Sequence, residues 1–399
     1  MATSVATAAH ADNRRLLSLD VLRGLTIAGM ILVTDPGTYS AVYHPLLHSH
    51  WENPSATDMI FPTFLVIVGI AMTFSFASRL RRGDTRQQIL RHVFFRSIVL
   101  FALGLALNGF PDYHPATIRI PGILQRIAIC YLLGGALYLA LSRKEKRDNT
   151  SRRRALLIAT TIAALLTLYW ALVKLVPVPG FGAGRLDSLG NLAAWIDRGV
   201  FTIPHLWPYG TTPGYGVTFD PEGLLSTLPA LATLLFGVLA GEWLLGRASA
   251  TRKFSVLAIA GACLIVTGLA LSPWMPLIKK IWTSTFALFS GGVALLIFSL
   301  LYLLLDIKRW RRWTSPALIF GTNAILAFAL STILTTLTDR IRIAAGSGAS
   351  LTLHQWTYLH AFATWLSPVN ASLAYAITIV AINLALIYPL YRRRIFLRL

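Results

Sequence analysis

Long apolar runs alternate with short polar or charged intervals along nearly the whole chain. Ten runs approach the roughly 20 residues needed to cross a hydrocarbon core. They fall at 18–34, 58–78, 93–109, 121–142, 155–176, 223–245, 254–272, 282–305, 316–337 and 371–391. Runs of this length and continuity predict helices rather than strands. The fold class is therefore all-α: a polytopic membrane protein with about ten transmembrane helices. The first run follows a polar tail, residues 1–15, and lacks the small-residue cleavage site of a signal peptide, so it is read as a retained span. With no internal repeat in sight, residues 16–399 read as one membrane domain.

Composition agrees with the pattern. Hydrophobic residues make up 55% of the 399 and charged residues 13%, about half the charge that a soluble surface requires. Soluble globular, disordered, fibrous and disulfide-scaffold classes are excluded. Cys130 and Cys263 both lie inside apolar runs, which gives no support to redox chemistry.

Lys and Arg total 36 against 16 Asp and Glu, a formal net charge of +20. In a soluble protein that balance would suggest nucleic acid. Here the cations cluster between apolar runs, so the expected neighbours are membrane lipids and no nucleic-acid partner is predicted. Counted on alternate sides, 25 of the 36 lie on the side of the termini and seven on the other. Positive charge marks the cytoplasmic side, which predicts both termini inside. Arg23, Arg96, Arg126 and Lys174 fall within the spans. Seven of the nine histidines lie in outward segments, two of which, 177–222 and 338–370, are long.

Several positions carry candidate chemistry. Asp20 and Arg23 lie three apart at the start of the first span and share a helix face. They either anchor the helix end or place Arg23 against an anionic ligand, because intramembrane charge is costly. The first outward loop holds Asp35, His44, His48, His50, Trp51 and Glu52, with Asp58 just beyond. Histidine is suited to proton transfer near neutral pH, and a carboxylate such as Asp58 can orient an imidazole. The same histidines also read as plain loop residues. His44 and His48 are four apart, but the spacing completes no familiar zinc pattern, and no metal is expected. Gln125 and Arg126 sit about one turn into the fourth span, suited either to pairing with another helix or to ligand contact. Asn108 ends the third span on the same side. Asp220 and Glu222 precede the sixth span, where they read either as helix-dipole caps or as ligand contacts. Lys279 and Lys280 open the eighth, and Asn323 lies near the inner end of the ninth.

The strings SLDVLRG, HSHW, TDMIFPTFLVIVG, LNGFP, RIPGILQRIA, DPEGLLSTLP and KKIWTSTFALFSGG occur in this order. Together they make the chain resemble the membrane acyltransferase family of heparan-α-glucosaminide N-acetyltransferase and its bacterial relatives, from about residue 16 onward. The resemblance implies a central cavity in which acetyl-CoA from the cytosol gives its acetyl group to an amino sugar on the far side. The family's proposed active-site histidine, three residues before the loop tryptophan, matches His48. Asp58 or Asp35 would orient it. Arg23, Asp20, Arg96, Arg126, Gln125 and Asn323 are the expected acetyl-CoA contacts, and His44, Trp51, Asn108, Asp220 and Glu222 the expected acceptor contacts. Relatives often carry asparagine where this chain has Thr34 or Asp35, and a carboxylate there would act as a base or bind an ammonium group. No large domain precedes the first span, so a small amino sugar or an envelope glycan is expected rather than a long polysaccharide. The bacterial inner membrane is the expected location, and the resemblance admits a homodimer that composition does not reveal. Direct transfer and an acetyl-histidine intermediate both fit the residues. The rival from another class is a secondary transporter of a sugar or amino sugar, with polar residues inside its spans but no detectable inverted repeat.

Overall fold

The computed structural model describes residues 16–142, 150–344 and 350–396. The tail 1–15, most of the cationic cluster 143–149, residues 345–349 of the last outer segment and Arg398 lie outside the described residues. The chain forms helices α1 (Leu17–Thr34), α2 (Ile60–Arg81), α3 (Arg86–Gly109), α4 (Ile123–Leu141), α5 (Thr150–Leu175), α6 (Leu192–Val200), α7 (Thr227–Leu245), α8 (Ala250–Leu271), α9 (Ser284–Leu301), α10 (Ser315–Thr322), α11 (Ala324–Arg340), α12 (Leu353–Thr357) and α13 (Pro368–Arg392). Among the described residues nine helices are long and apolar enough to cross a membrane, and the bent pair α10 and α11 brings the number to ten if it is counted as one broken span. The protein is a multi-pass membrane protein. Short α6 and α12, together with two small antiparallel hairpins, lie in the outer connections.

The spans expected from the apolar runs are all present, with one change of shape. The run at 316–337 predicts a single straight helix, whereas α10 and α11 meet at 88°. Asn323 at the break leaves helical geometry, with φ −128° and ψ 43°. The reason for the bend is local packing. A Cβ on Gly321 would lie 2.0 Å from the Asp20 carbonyl oxygen, and one on Gly24 would lie 1.7 Å from that of Ala317. Thus α10 rests backbone to backbone on α1, and the span turns away only after that contact ends. Irregular backbone at membrane depth needs partners of its own. The Gly321 carbonyl accepts from Arg23 Nη1 at 3.3 Å, and Asn323 Nδ2 donates to the Ile395 carbonyl at 3.2 Å.

Two other devices set the bundle. The N-terminus of α1 has no side-chain cap from its own neighbours. Instead Asp306, at the far end of the α9 span, accepts from the Leu17 and Ser18 amides at 3.2 and 3.1 Å, meeting the demand of orphan helix donors for a negative partner. Helices α2 and α7 approach through reciprocal glycines: a Cβ on Gly69 would lie 2.1 Å from the Leu234 carbonyl oxygen, and one on Gly237 would lie 2.1 Å from that of Val66. Small residues at such crossings let packing replace the hydrophobic drive that lipid removes. Leu65, Met72, Phe76, Leu234, Leu235 and Phe286 fill the centre around this contact.

Replacing Gly69 by leucine should force α2 and α7 apart. Overpacking costs about 1–3 kcal/mol or more, so the variant is expected to lose several degrees of thermal stability in detergent, read from tryptophan fluorescence. An unchanged unfolding midpoint would count against the close crossing.

Candidate active site

A cavity of about 520 Å³ runs through the centre of the bundle, walled mainly by α1, α2, α3, α4 and the broken α10/α11 span. At the end bearing the termini it is lined by Leu16, Asp20, Arg23, Gly321 and Thr322. Its middle is apolar, with Met30, Phe64, Val68, Leu100 and Phe328, and Arg96 enters beside Tyr131. The opposite end carries His48, Thr57, Asp58, Glu222 and Lys279.

Asp58 organises that outer end. Its side chain is fully buried, and its Oδ1 lies 2.7 Å from His48 Nδ1. Oδ2 accepts from the Ser49 amide at 3.1 Å, the Ser55 amide at 2.9 Å and Ser55 Oγ at 3.2 Å. A carboxylate satisfied by this many donors is held ionised, so the proton between the pair resides on His48 Nδ1. Nε2 then carries the free lone pair, and it makes no hydrogen bond among the described residues. The His48 side chain is 47% accessible, and since it lines the cavity the ring is open to whatever enters there. Burial and then the nearby Lys279 ammonium lower the imidazole pKa from its usual value, against the opposing pull of Asp58. A ring tuned this way rests neutral and can take a proton at Nε2.

Lys279, whose ammonium lies 4.0 Å from Asp58 Oδ1, comes from a rigid turn. Ile278 pairs with Glu52 as an isolated antiparallel bridge. Thr283 Oγ1 donates to the Pro276 carbonyl at 2.8 Å and accepts from the Ile278 amide at 3.1 Å. Trp282, fully buried, is left-handed at φ 49° and packs edge-on against Phe61 and Phe286. Glu222 completes the outer wall. Arg119 binds it through Nη2 at 2.5 Å and also clamps Asp220 in a bidentate pair at 2.6 and 2.9 Å. Burial would raise the Glu222 carboxyl, but Arg119, Lys279 and Arg126 hold it below the ordinary range.

Of the residues singled out from sequence, His48, Asp58, Asp20, Arg23, Arg96, Glu222, Thr34 and Lys279 line this cavity. The others sit elsewhere. Asp220 is buried under Arg119 and accepts from the Trp207 amide at 2.8 Å. Arg126, 1% exposed, donates to the Gly223 carbonyl at 2.9 Å and to Ser226 Oγ, and lies over the Trp282 ring. Gln125 is buried against Gly104 and Gly122. Asn108 Nδ2 ties the Arg119 and Pro121 carbonyls at 2.9 and 3.1 Å. Asn323 holds the α10/α11 break. His44 is exposed on a short turn, and Trp51 Nε1 donates to the Leu186 carbonyl at 2.8 Å while its ring meets Phe219.

Asp35 joins a separate cluster. It is 4% exposed and accepts from Ser331 Oγ at 3.2 Å and from Thr335 Oγ1, fastening the outer end of α1 to α11. Lys279 reads from sequence only as part of a helix end. Its one local signal is the adjacent pair of lysines on a side of the chain poor in cations.

The fold and this site define a class: multi-pass membrane proteins in which a histidine and a carboxylate sit at one end of a cavity and arginines toward the other. The family described as "Heparan-alpha-glucosaminide N-acetyltransferase, catalytic" matches residues 15–271. The chain belongs to that family. It is 27% identical over 351 residues to the human heparan-alpha-glucosaminide N-acetyltransferase, covering 79% of this chain and 52% of that protein. Against the mouse protein of the same name it is 28% identical over 354 residues, covering 79% and 53%. The chain thus spans about half the length of the curated relatives it matches.

Burial lifts the Asp35 carboxyl to about 6 from an ordinary 3.8. An acid with a raised folded pKa binds more protons folded than unfolded between those values, so the stability it allows falls as pH rises through that window. Asp35→Asn is therefore expected to raise stability at pH 8 by about 1–3 kcal/mol, seen as a higher unfolding midpoint, and to leave it unchanged near pH 4. Thermal melts at both pH values in detergent check this, and a gain equal at both would contradict it.

Proposed function

We propose that this chain is an acetyl-CoA-dependent N-acetyltransferase that acetylates an amino sugar across the membrane. The observation that carries the reading is the His48 ring, paired through Nδ1 with Asp58, at one end of a cavity whose other half holds Arg23 and Arg96. Membership of the family supports it. Acetyl-CoA enters from the cationic, cytoplasmic side, where Arg23 and Arg96 attract its phosphates. Arg96 Nε is buried without a hydrogen-bond partner, as expected of a group awaiting an anionic ligand. The apolar middle of the cavity suits the narrow pantetheine arm, which presents the thioester to His48.

At the outer end the acceptor amine attacks the acetyl carbonyl. His48 Nε2 takes the proton that the nitrogen loses as the C–N bond forms. The tetrahedral intermediate collapses, the C–S bond breaks, and the proton on Nε2 passes to the departing thiolate, leaving an acetamide and CoA. Asp58 keeps Nδ1 protonated and stabilises the imidazolium between the two transfers. The acceptor is a small amino sugar or an envelope glycan presented at the face opposite the termini, which in a bacterium is the periplasmic face of the inner membrane.

Purified protein in detergent, given radiolabelled acetyl-CoA and glucosamine, tests this. Wild type is expected to bind the donor and acetylate the amine, while His48→Ala binds it equally and transfers at least about 100-fold more slowly, the scale of general base catalysis. Intersecting initial-rate lines are expected for direct attack, and parallel lines would indicate an acetylated histidine instead. Failure of the wild type to bind acetyl-CoA would overturn the assignment.

A further inference from the structure

We propose that Lys279 is a positioning residue of the transfer site, its ammonium acting on His48 through the Asp58 carboxylate that both of them face. The role in catalysis rests on the acetyltransferase reading above, whereas the electrostatic coupling stands on geometry. Asp58 Oδ1 is the atom shared: His48 Nδ1 lies 2.7 Å from it and Lys279 Nζ 4.0 Å from it. Lys279 lines the cavity beside His48, and its side chain is 13% exposed.

Two features make this placement deliberate rather than incidental. The turn that carries Lys279 is held by the buried Trp282 and by Thr283, so the ammonium is fixed by packing instead of hanging on a mobile loop. The next residue points elsewhere: Lys280 Nζ lies 5.6 Å from the Phe219 ring centroid and 6.0 Å from that of Trp51. Of two adjacent lysines, one anchors the aromatic cap and the other faces the carboxylate.

The charged groups that act on His48 are Asp58, Lys279 and, farther off, Glu222. The two carboxylates favour the imidazolium. Lys279 opposes them, so the ring does not stay charged when Asp58 approaches it. This matters in both halves of the reaction. A resting imidazolium has no lone pair to take the amine proton, and an imidazolium too well stabilised by Asp58 would not release that proton to the thiolate. Lys279 offsets part of the Asp58 attraction, keeping Nε2 available before attack and acidic after it. The mouth of the site then has a mixed charge, with Lys279 between two carboxylates, a balance that keeps the outer end from being a simple trap for cations.

The test reads His48 directly. Diethyl pyrocarbonate modifies only the neutral imidazole, and peptide mass spectrometry of the full-length protein follows its rate at His48 between pH 5 and 8. With Lys279→Met the titration is expected to move up by about one pH unit or more, because repulsion of the imidazolium is lost. Lys279→Arg should restore the wild-type curve, and Asp58→Asn should move it down. In turnover, Lys279→Met should lower kcat near pH 6 by about 3-fold or more with little change in KM for acetyl-CoA and shift the acidic limb upward by the same interval. A His48 titration in Lys279→Met that overlays the wild type would overturn the inference, and the Arg variant guards against a folding defect being read as the effect. Should the wild type transfer no acetyl group, the function reading fails, while the His48 titration still decides the coupling.

Discussion

The buried carboxylate of Asp58 is the constraint around which the outer half of the molecule is arranged. A charge taken out of water must be repaid by donors, and Asp58 collects them from the loop that precedes α2 as well as from His48. Those bonds shape the loop, since the Ser49 and Ser55 amides must converge on one oxygen. The loop in turn fixes where His48 stands, and Ser55 Oγ ties it back to the Leu47 carbonyl at 2.6 Å. A single side chain thus couples the backbone of the loop to the orientation and tautomer of the ring.

The cavity beneath depends on close helix contacts of a different kind. Gly24 and Gly321 let α1 and α10 touch at the backbone, and Gly69 and Gly237 do the same for α2 and α7. Helices drawn together at these points leave space elsewhere, and the bend at Asn323 turns α11 so that Ala324, Ile325 and Phe328 line that space. The carbonyls freed by the bend are polar groups at membrane depth, and Arg23 meets one of them. Charge from α1 therefore both stabilises the break and stands at one end of the cavity.

Charged residues outside the cavity lining serve assembly. Arg119 gathers Asp220 and Glu222, so one side of its guanidinium buttresses the long outer loop while the other partner lines the site. Arg126 holds the Gly223 carbonyl from within the bundle. At the terminus-bearing end Glu242 accepts from Tyr138 and from Arg154, whose Nε lies 2.9 Å away, pinning α4, α5 and α7. Each is a buried or half-buried charge with a partner from a distant part of the chain, the arrangement that makes ionisable residues in an apolar bundle tolerable.

Much of this was legible in the amino-acid order because the signals are local. Length of apolar run decides which segments cross a membrane, and ten residues separate His48 from Asp58, so a single loop suffices to pair them. Asp20 and Arg23 meet within one helical turn, and their pairing at 3.2 Å follows from that spacing. What no local pattern contains is the meeting of Asp58 with Lys279, residues far apart in the chain brought together by the packing of α2 against α7 and α9. Asp35 read equally well as a partner of the histidines, yet the tilt of α11 gives it Ser331 and Thr335 instead. The straight ninth helix was expected for the same reason: hydropathy counts residues, while the backbone contact of Gly321 on Asp20 that bends it exists only in three dimensions. Apolar run length and short residue spacing are enough to read the class, the approximate spans and the pairing of a histidine with its carboxylate. Tertiary structure alone decided which charges face the cavity, because side-chain direction depends on how helices rotate and bend against one another.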